Sequence, residues 1–140
     1  MTSSGEEQFN ELSFYTLAHS GITFIHQHIV DAKIAQTADI STKPISIVFS
    51  LVGLYLCVEK NYTGRQVQQI HMQMVKIKNS LPDIMLPERR GAITISDVLA
   101  SRPGNARDEM IHKWCASVWV AYQDSREKIM TVTQKFVRNK

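Results

Sequence analysis

The apolar residues of this chain recur at helical spacing along most of its length. In the last third, they fall within one narrow sector when residues are placed at about 100° intervals, as on an α-helix. These apolar positions are Ile111, Trp114, Cys115, Val118, Tyr122, Ile129, Val132 and Phe136. No segment competes with the alternating pattern that is typical of a half-buried strand. The pattern therefore predicts an all-α protein.

Turn and capping residues divide this pattern into six predicted helices, which we call A to F. Their predicted spans are about 5–19 (A), just after 21 to about 37 (B), 44 to about 60 (C), 64 to about 79 (D), 94 to about 100 (E) and 105 to about 138 (F). Short links join A to B and C to D, so we expect one up-down helical bundle over residues 1–140, with about five long helices and one short one. The segment 80–93 contains two prolines and a glycine, which predicts an extended crossing of the bundle.

Three of the predicted helix starts carry a specific capping pattern. Ser4 precedes Glu7, and Thr63 precedes Gln66, each at the spacing of a capping box. The segment TISD at residues 94–97 is predicted to cap helix E in a similar way. These pairs fix where helices A, D and E should begin.

The composition indicates a soluble globular domain. The chain has 140 residues, of which 44% are hydrophobic and 21% charged. Its longest apolar run, residues 45–58, contains Ser46, Ser50 and Gly53 and is too short to span a bilayer, so it predicts a buried helix. No signal peptide is recognised near the N-terminus. We therefore expect a cytoplasmic protein without a membrane segment.

The charged residues are unevenly distributed. Residues 1–32 contain four acidic residues and no Lys or Arg, whereas the whole chain carries a net charge of +3. A basic second part could meet an acidic partner, but no Lys/Arg run or basic motif with interleaved aromatic residues is present, so nucleic-acid binding is not expected. Cys57 and Cys115 are expected to be free buried thiols, although a disulfide between them stays open.

The segment FIHQHIVDAK, residues 24–33, raises the main functional question. On a helix, His26 and His28 lie about 200° apart, so they should face opposite sides and cannot bind one ion together. Asp31 lies three residues after His28, where a carboxylate–imidazole hydrogen bond is feasible. His71 lies on the predicted core face of helix D, from which it could approach helix B.

These four residues, His26, His28, Asp31 and His71, form the predicted ligand-binding site. His71 and one histidine of helix B could bind a divalent transition metal, with His26, His28 and His71 as candidate ligands that do not all share one ion, or they could act as acid and base. Glu59 and Arg65 could supply nearby charges. The strong metal motifs H-E-x-x-H, E-x-x-H and paired C-x-x-C are absent. Whether the protein is an enzyme stays open, and the histidines could instead be structural.

Several other side chains are given surface roles. His19 is expected to interact with the C-terminal end of helix A, and His112 is expected to pair with Asp108 at the solvent edge. The neighbouring Arg89 and Arg90 are interpreted as a solvated loop pair rather than an anion clamp. Trp119 is a candidate contact with a partner or ligand, although a half-buried tryptophan is the common outcome at such a position.

An alternative function is that of a non-catalytic interaction or regulatory protein. The apolar stripe of helix F reaches Phe136, beyond the expected end of a short bundle. Such an exposed end would need a partner, which predicts a homo-oligomer, most simply a homodimer formed through helix F.

Five segments resemble a family of short bacterial proteins catalogued as a domain of unknown function. They are FIHQHIVDA, KPISIVFSLVGLYL, GRQVQQIHM, GAITISDVLASRPG and WCASVWVAY, which occur in the same order over about residues 12–122. The resemblance implies a cytosolic bacterial protein and carries no reaction or cofactor. A looser architectural similarity is to metal-binding four-helix bundles of the DNA-damage-inducible type, whose histidine pattern has no clear match in this chain.

Overall fold

The computed structural model describes residues 5–18 and 24–137, and these residues contain seven α-helices and no strand. The helices are α1 (Gly5–Ala18), α2 (His26–Thr37), α3 (Pro44–Lys60), α4 (Gly64–Met74), α5 (Ile95–Ala100), α6 (Asn105–Ala121) and α7 (Arg126–Gln134). Two 3-10 segments, Val75–Ser80 and Gln123–Ser125, follow α4 and α6. The prediction of an all-α protein is confirmed.

Helices α2 and α3 lie at the centre of the structure. Helix α2 packs against α1, α3, α4 and α6, and α3 also packs against α6 and α7. Because α3 has neighbours on most sides, it is apolar around most of its circumference, as a central helix must be. It coincides with the long apolar run of the sequence, so that run forms the core. Among the described residues, no helix combines the length and apolar character needed to cross a membrane.

Two glycines allow α3 and α4 to approach α2 closely. A Cβ atom at Gly64, the first residue of α4, would overlap with the backbone carbonyl of Phe24 just before α2. A Cβ atom at Gly53, in the middle of α3, would overlap with the carboxyl group of Asp31. The absence of side chains at these two positions therefore sets the spacing of the three helices that carry the candidate site.

The predicted capping patterns are found where the structure describes them. The backbone N–H of Gln66 donates to the Thr63 hydroxyl at 3.2 Å, and the Thr63 N–H donates to the Gln66 side chain at 2.8 Å. Thr94 and Asp97 form the corresponding box at the start of α5. The predicted box at Ser4 lies outside the described residues.

The prediction of one continuous C-terminal helix is wrong. Helix α6 ends at Ala121, a 3-10 turn follows, and α7 packs back against α3. Ile129 and Val132 are thereby buried in the core, and Phe136 packs against it. A straight helix would have carried these side chains beyond the bundle. The exposed stripe that motivated a homodimer is absent, so homodimerisation stays a prediction without that support.

Helix D is also shorter than predicted. Its α-helical part, α4, ends at Met74, and the backbone at Ile77 leaves the helical region with φ −118° and ψ 20°. The apolar face of α4 lies in the core, with Val67, Ile70 and Met74 buried, whereas Ile77 beyond the end of α4 is only partly buried.

The segment 81–93, which follows the first 3-10 segment, acts as a strap across α2 and α6. The Gln36 side chain donates to the carbonyl oxygens of Arg90 at 3.2 Å and Ile93 at 2.8 Å, and it accepts from Trp114 Nε1 at 2.9 Å. The Arg90 guanidinium donates in turn to the carbonyl oxygen of Ala38. These bonds join the extended segment, as predicted, to the core and leave the Arg90 side chain engaged with backbone rather than solvated.

Candidate functional site

His26 points toward α1, away from Asp31 and His71. Its Nδ1 atom forms a 2.9 Å hydrogen bond with the hydroxyl of Thr16, and its ring meets the Phe24 ring edge-on. Burial lowers the pKa of His26. This residue therefore connects α2 to α1 as a neutral hydrogen-bonding partner.

His28 points toward α6, away from the other predicted site residues. It is buried, and its ring lies 5.8 Å from that of His112, measured between centroids. The predicted hydrogen bond between His28 and Asp31 is wrong, because His28 Nδ1 and Asp31 Oδ2 both lack a partner among the described residues. Gln27 binds the carboxyl group instead, from a position one helical turn before Asp31, with Nε2 at 3.1 Å from Oδ1.

Asp31 is a carboxyl group enclosed in the core. It is only 2% exposed, and its Oδ2 atom lies against Gly53 of α3. Burial raises its pKa well above the ordinary value, the hydrogen bond from Gln27 opposes this shift, and the nearby Cys57 adds to it. Asp31 is thus held toward its protonated, uncharged form.

His71 is a second uncharged group. Its Nε2 atom lies 2.7 Å from the carbonyl oxygen of Phe49 on α3. A carbonyl oxygen can only accept a hydrogen bond, so Nε2 carries the proton and Nδ1 carries the lone pair. Burial lowers the pKa of His71, although the bond to Phe49 opposes the shift. The ring also packs on the Phe49 ring, 5.3 Å away between centroids.

Asp31 and His71 line one groove between α2, α3 and α4, which we call the Asp31–His71 groove. It has a volume of about 320 Å³. Its apolar wall consists of Val30, Ile34, Ile45, Phe49 and Val75. Gln27, Ser46 and Ser50 complete the lining, and the described lining residues include no Lys, Arg or Glu. The groove is therefore apolar and uncharged, with a small set of hydrogen-bonding groups.

The three predicted metal ligands have three different sets of neighbours. His26 contacts Thr16, His28 faces His112, and His71 binds the Phe49 carbonyl. Within residues 5–18 and 24–137, no group of three His, Cys, Asp or Glu side chains is arranged to hold a metal ion. The structure brings only Asp31 and His71 of the four predicted residues to a common groove. His19 lies outside the described residues.

A second polar cluster was missed by the sequence analysis. Cys57 of α3 has its Sγ atom 3.9 Å from His112 Nδ1 of α6. Cys115 lies one turn after His112, and its Sγ atom is 3.6 Å from the backbone oxygen of His28, on the side of α6 that faces Cys57. We call Cys57, Cys115, His28 and His112 the thiol–imidazole cluster. The only sequence signal for it was that His112 and Cys115 share one face of a helix.

The cluster makes its two thiols unequal. The hydrogen bond with Cys115, together with those from His112 and His28, holds the pKa of Cys57 well below its usual range, although burial acts in the opposite direction. The hydrogen bond with Cys57 raises the pKa of His112. The interaction with Cys57, together with burial, raises the pKa of Cys115 well above its usual value. Of the two sulfurs, Cys57 is the one held toward its thiolate form, because its pKa is lowered and that of Cys115 is raised. The view of His112 as a solvent-edge partner of Asp108 alone missed this contact.

Glu59 and Arg65, which were predicted to supply charges near the site, and Trp119 make contacts that stabilise the fold instead. Glu59 accepts hydrogen bonds from Trp119 Nε1 at 2.7 Å and from Arg126 Nε at 2.8 Å, which joins α3 to α6 and α7. Trp119, a candidate surface contact by sequence, is 1% exposed, so that prediction is wrong. Arg65 lies over the Phe24 ring, 5.3 Å from its centroid. Neither predicted charge is thus engaged in the Asp31–His71 groove.

Comparison with known proteins identifies a family but no activity. Residues 2–123 match the family model described as "Family of unknown function (DUF5946)". No curated protein matches the chain, and neither does any solved structure. The geometry of the Asp31–His71 groove and of the thiol–imidazole cluster is therefore the guide to function.

Proposed function

The chain belongs to the DUF5946 family, and we propose that it binds a small uncharged molecule in the Asp31–His71 groove. The observation that carries this proposal is the Oδ2 atom of Asp31, which is buried and has no hydrogen-bond partner among the described residues. Leaving such a group unsatisfied costs about 1–3 kcal/mol. A ligand that bonded to this carboxyl group would recover part of that free energy.

The polar groups of the groove favour a particular ligand chemistry. A protonated Asp31 offers an O–H donor, and the free lone pair on Nδ1 of His71 offers an acceptor. A carbonyl group beside an N–H group, as in an amide, would match this pair. The apolar wall suits a hydrocarbon or aromatic remainder, as in most small-molecule sites.

The same groups disfavour charged ligands. A carboxylate or ammonium group that entered the groove would lose its hydration, and the described lining offers no permanent opposite charge. We therefore expect the groove to distinguish an uncharged amide from the carboxylate of the same shape.

Acid–base chemistry on the bound molecule is a second candidate. A protonated carboxyl group and an unprotonated imidazole in one groove are the two groups that a proton transfer requires. Asp31 would donate the proton and His71 would accept one. Binding of an uncharged ligand is common to both candidates and is tested first.

A titration followed by NMR tests the binding proposal. Benzamide and benzoate, which share one ring, are added separately to the ¹⁵N-labelled chain at the same pH. Benzamide is expected to shift the amide signals of groove residues such as Val30, Ile34 and Phe49, and benzoate is not. If benzamide leaves these signals unchanged, or if benzoate binds as tightly as benzamide, the proposal fails.

Two variants of α4 make the comparison specific. His71→Phe keeps an aromatic ring against Phe49 but removes the acceptor, so it should weaken benzamide binding. Met72→Ala changes the adjacent residue, which is 74% exposed, and should leave binding unchanged. Equal affinities for benzamide in the two variants would show that His71 takes no part in binding.

A further inference from the structure

The thiol–imidazole cluster is a chemically active site that the proposed ligand binding does not use. Its two cysteines belong to different helices, α3 and α6, and are free. Cys57 is 5% exposed and Cys115 is fully buried. The Cys57 sulfur lies 3.9 Å from His112 Nδ1, and the Cys115 sulfur, one turn further along α6, lies 3.6 Å from the His28 backbone oxygen, which places the two thiols on facing sides of α3 and α6. The pair therefore offers two thiols on neighbouring helices that pack against each other.

A solvent-accessible pocket leads to this cluster. It has a volume of about 270 Å³, and its walls include His28 and His112, both of which contact Cys57. The turn Asn61–Thr63 forms its rim. A water molecule occupies about 30 Å³ in the liquid, so a peroxide of similar size can enter where a bulky reagent cannot.

We propose that Cys57 and Cys115 form a dithiol that is oxidised by hydrogen peroxide to a disulfide between α3 and α6. Cys57 reacts first, because its sulfur lies beside the His112 imidazole, which lines the pocket, and because it is the more exposed of the two. Cys115 then resolves the product, because it is the only other cysteine in the chain and lies one turn from His112, the residue that contacts Cys57. His112 supplies the proton at the first step.

The chemistry balances without a further reactant. The Cys57 thiolate attacks one peroxide oxygen and the O–O bond breaks, which gives a Cys57 sulfenic acid, while His112 protonates the departing hydroxide to water. The Cys115 sulfur then attacks the Cys57 sulfur, and the S–O bond breaks. The hydroxide released takes the thiol proton of Cys115 and leaves as a second water. Two thiol sulfurs are oxidised by two electrons in total, and one peroxide is reduced to two waters.

The charged and titratable groups around Cys57 come from two helices, α2 and α6. Cys115 and His112 face it from α6, and His28 faces it from α2. Asp31 lies close enough for Cys57 to raise its pKa, and Asp108 lies one turn before His112 and supports the imidazolium. The imidazolium of His112 is the group whose loss should slow the reaction most at neutral pH without removing a reacting sulfur.

The test uses the whole chain, reduced and then treated with hydrogen peroxide. Peptide mapping by mass spectrometry should find the Cys57 and Cys115 peptides joined, with the loss of two hydrogens. In Cys115→Ser, dimedone should trap a sulfenic acid on Cys57, and in Cys57→Ser the Cys115 thiol should stay reduced. Met85, which is 83% exposed, gains oxygen instead and is distinguished in the same map.

A pH profile separates the proton-donating role of His112 from a purely structural one. The rate of Cys57 oxidation in the wild-type chain should change little from mildly acidic to neutral pH. In His112→Gln it should fall severalfold at neutral pH and recover as the pH rises. The helical circular dichroism of each variant shows whether its fold is kept. The peptide map of the oxidised wild-type chain tests the disulfide without any variant.

Three results would overturn the proposal. One is a wild-type chain in which both thiols stay reduced while Met85 is oxidised. Another is a disulfide that forms only after denaturation. The third is a stoichiometric zinc ion in the purified chain that protects both thiols from peroxide, since two cysteines and two histidines are also a zinc donor set.

Discussion

The Oδ2 atom of Asp31 lies against the Cα atom of Gly53, in the space that any side chain at position 53 would occupy. A buried carboxyl group on α2 is therefore accommodated by the absence of a side chain on α3. The same carboxyl group lines the Asp31–His71 groove. Glycine at position 53 is thus part of the site, although it contributes no chemical group to it.

This relationship predicts that Gly53→Ala destabilises the protein. Alanine is normally about 1 kcal/mol better than glycine inside a helix, but here its methyl group would overlap with Asp31. We expect the free energy of unfolding to fall by about 1–3 kcal/mol, as measured by urea denaturation. In an Asp31→Ala background the overlap with the carboxyl group disappears and only the close approach to Val67 remains, so the same substitution should cost clearly less. Equal costs of Gly53→Ala in the two backgrounds would contradict the account.

Asp31 should give the stability of the fold a distinctive pH dependence. Its pKa is raised in the folded state, so between the ordinary carboxyl pKa and the raised value the folded state holds a proton that the unfolded state has released. Its contribution to stability is therefore complete at acidic pH and declines as the pH rises through that window, by up to about 1.4 kcal/mol per pH unit.

Asp31→Asn removes this titration and provides the measurement. The difference in unfolding free energy between wild type and variant should shift in favour of the variant as the pH rises above about 4. Asp83→Asn, at an exposed position, is the matched control and should show a flat difference. A flat difference for Asp31→Asn as well would mean that the Asp31 carboxyl titrates alike in both states.

Gln36 should be among the costliest polar residues to replace. Its side chain binds two carbonyl oxygens of the strap and the indole N–H of Trp114. Gln36→Ala would leave these groups without partners, and we expect it to lower the free energy of unfolding by about 2–4 kcal/mol. Gln69→Ala, at an exposed position on α4, should change it little. Similar values for the two variants in chemical denaturation would show that the strap is not held by Gln36.

The sequence predicts the helices well because burial follows helical periodicity. Ile111, Val118 and Ile129 are buried as their spacing requires, even though the helix breaks between the last two. The break itself could not be read, because it depends on α7 folding back so that Arg126 meets Glu59, a contact between residues far apart in the chain. Periodicity reports which side of a segment is buried, and tertiary contacts decide where the segment bends.

The candidate site was predictable to the same extent. Helical geometry separated His26 from His28, and the core position of His71 placed it near α2, where it shares a groove with Asp31. The contact between Cys57 and His112 was missed because it depends on the axial register of α3 against α6. No local pattern encodes that register.

The most direct test of the central claim is the location of a bound amide. Intermolecular NOEs are measured between the ring protons of benzamide and the methyl groups of the ¹³C-labelled chain. We predict NOEs to Val30, Ile34 and Val75, which form the apolar wall of the Asp31–His71 groove. NOEs confined to other surfaces, such as the exposed Val120 on α6, would contradict the proposed function.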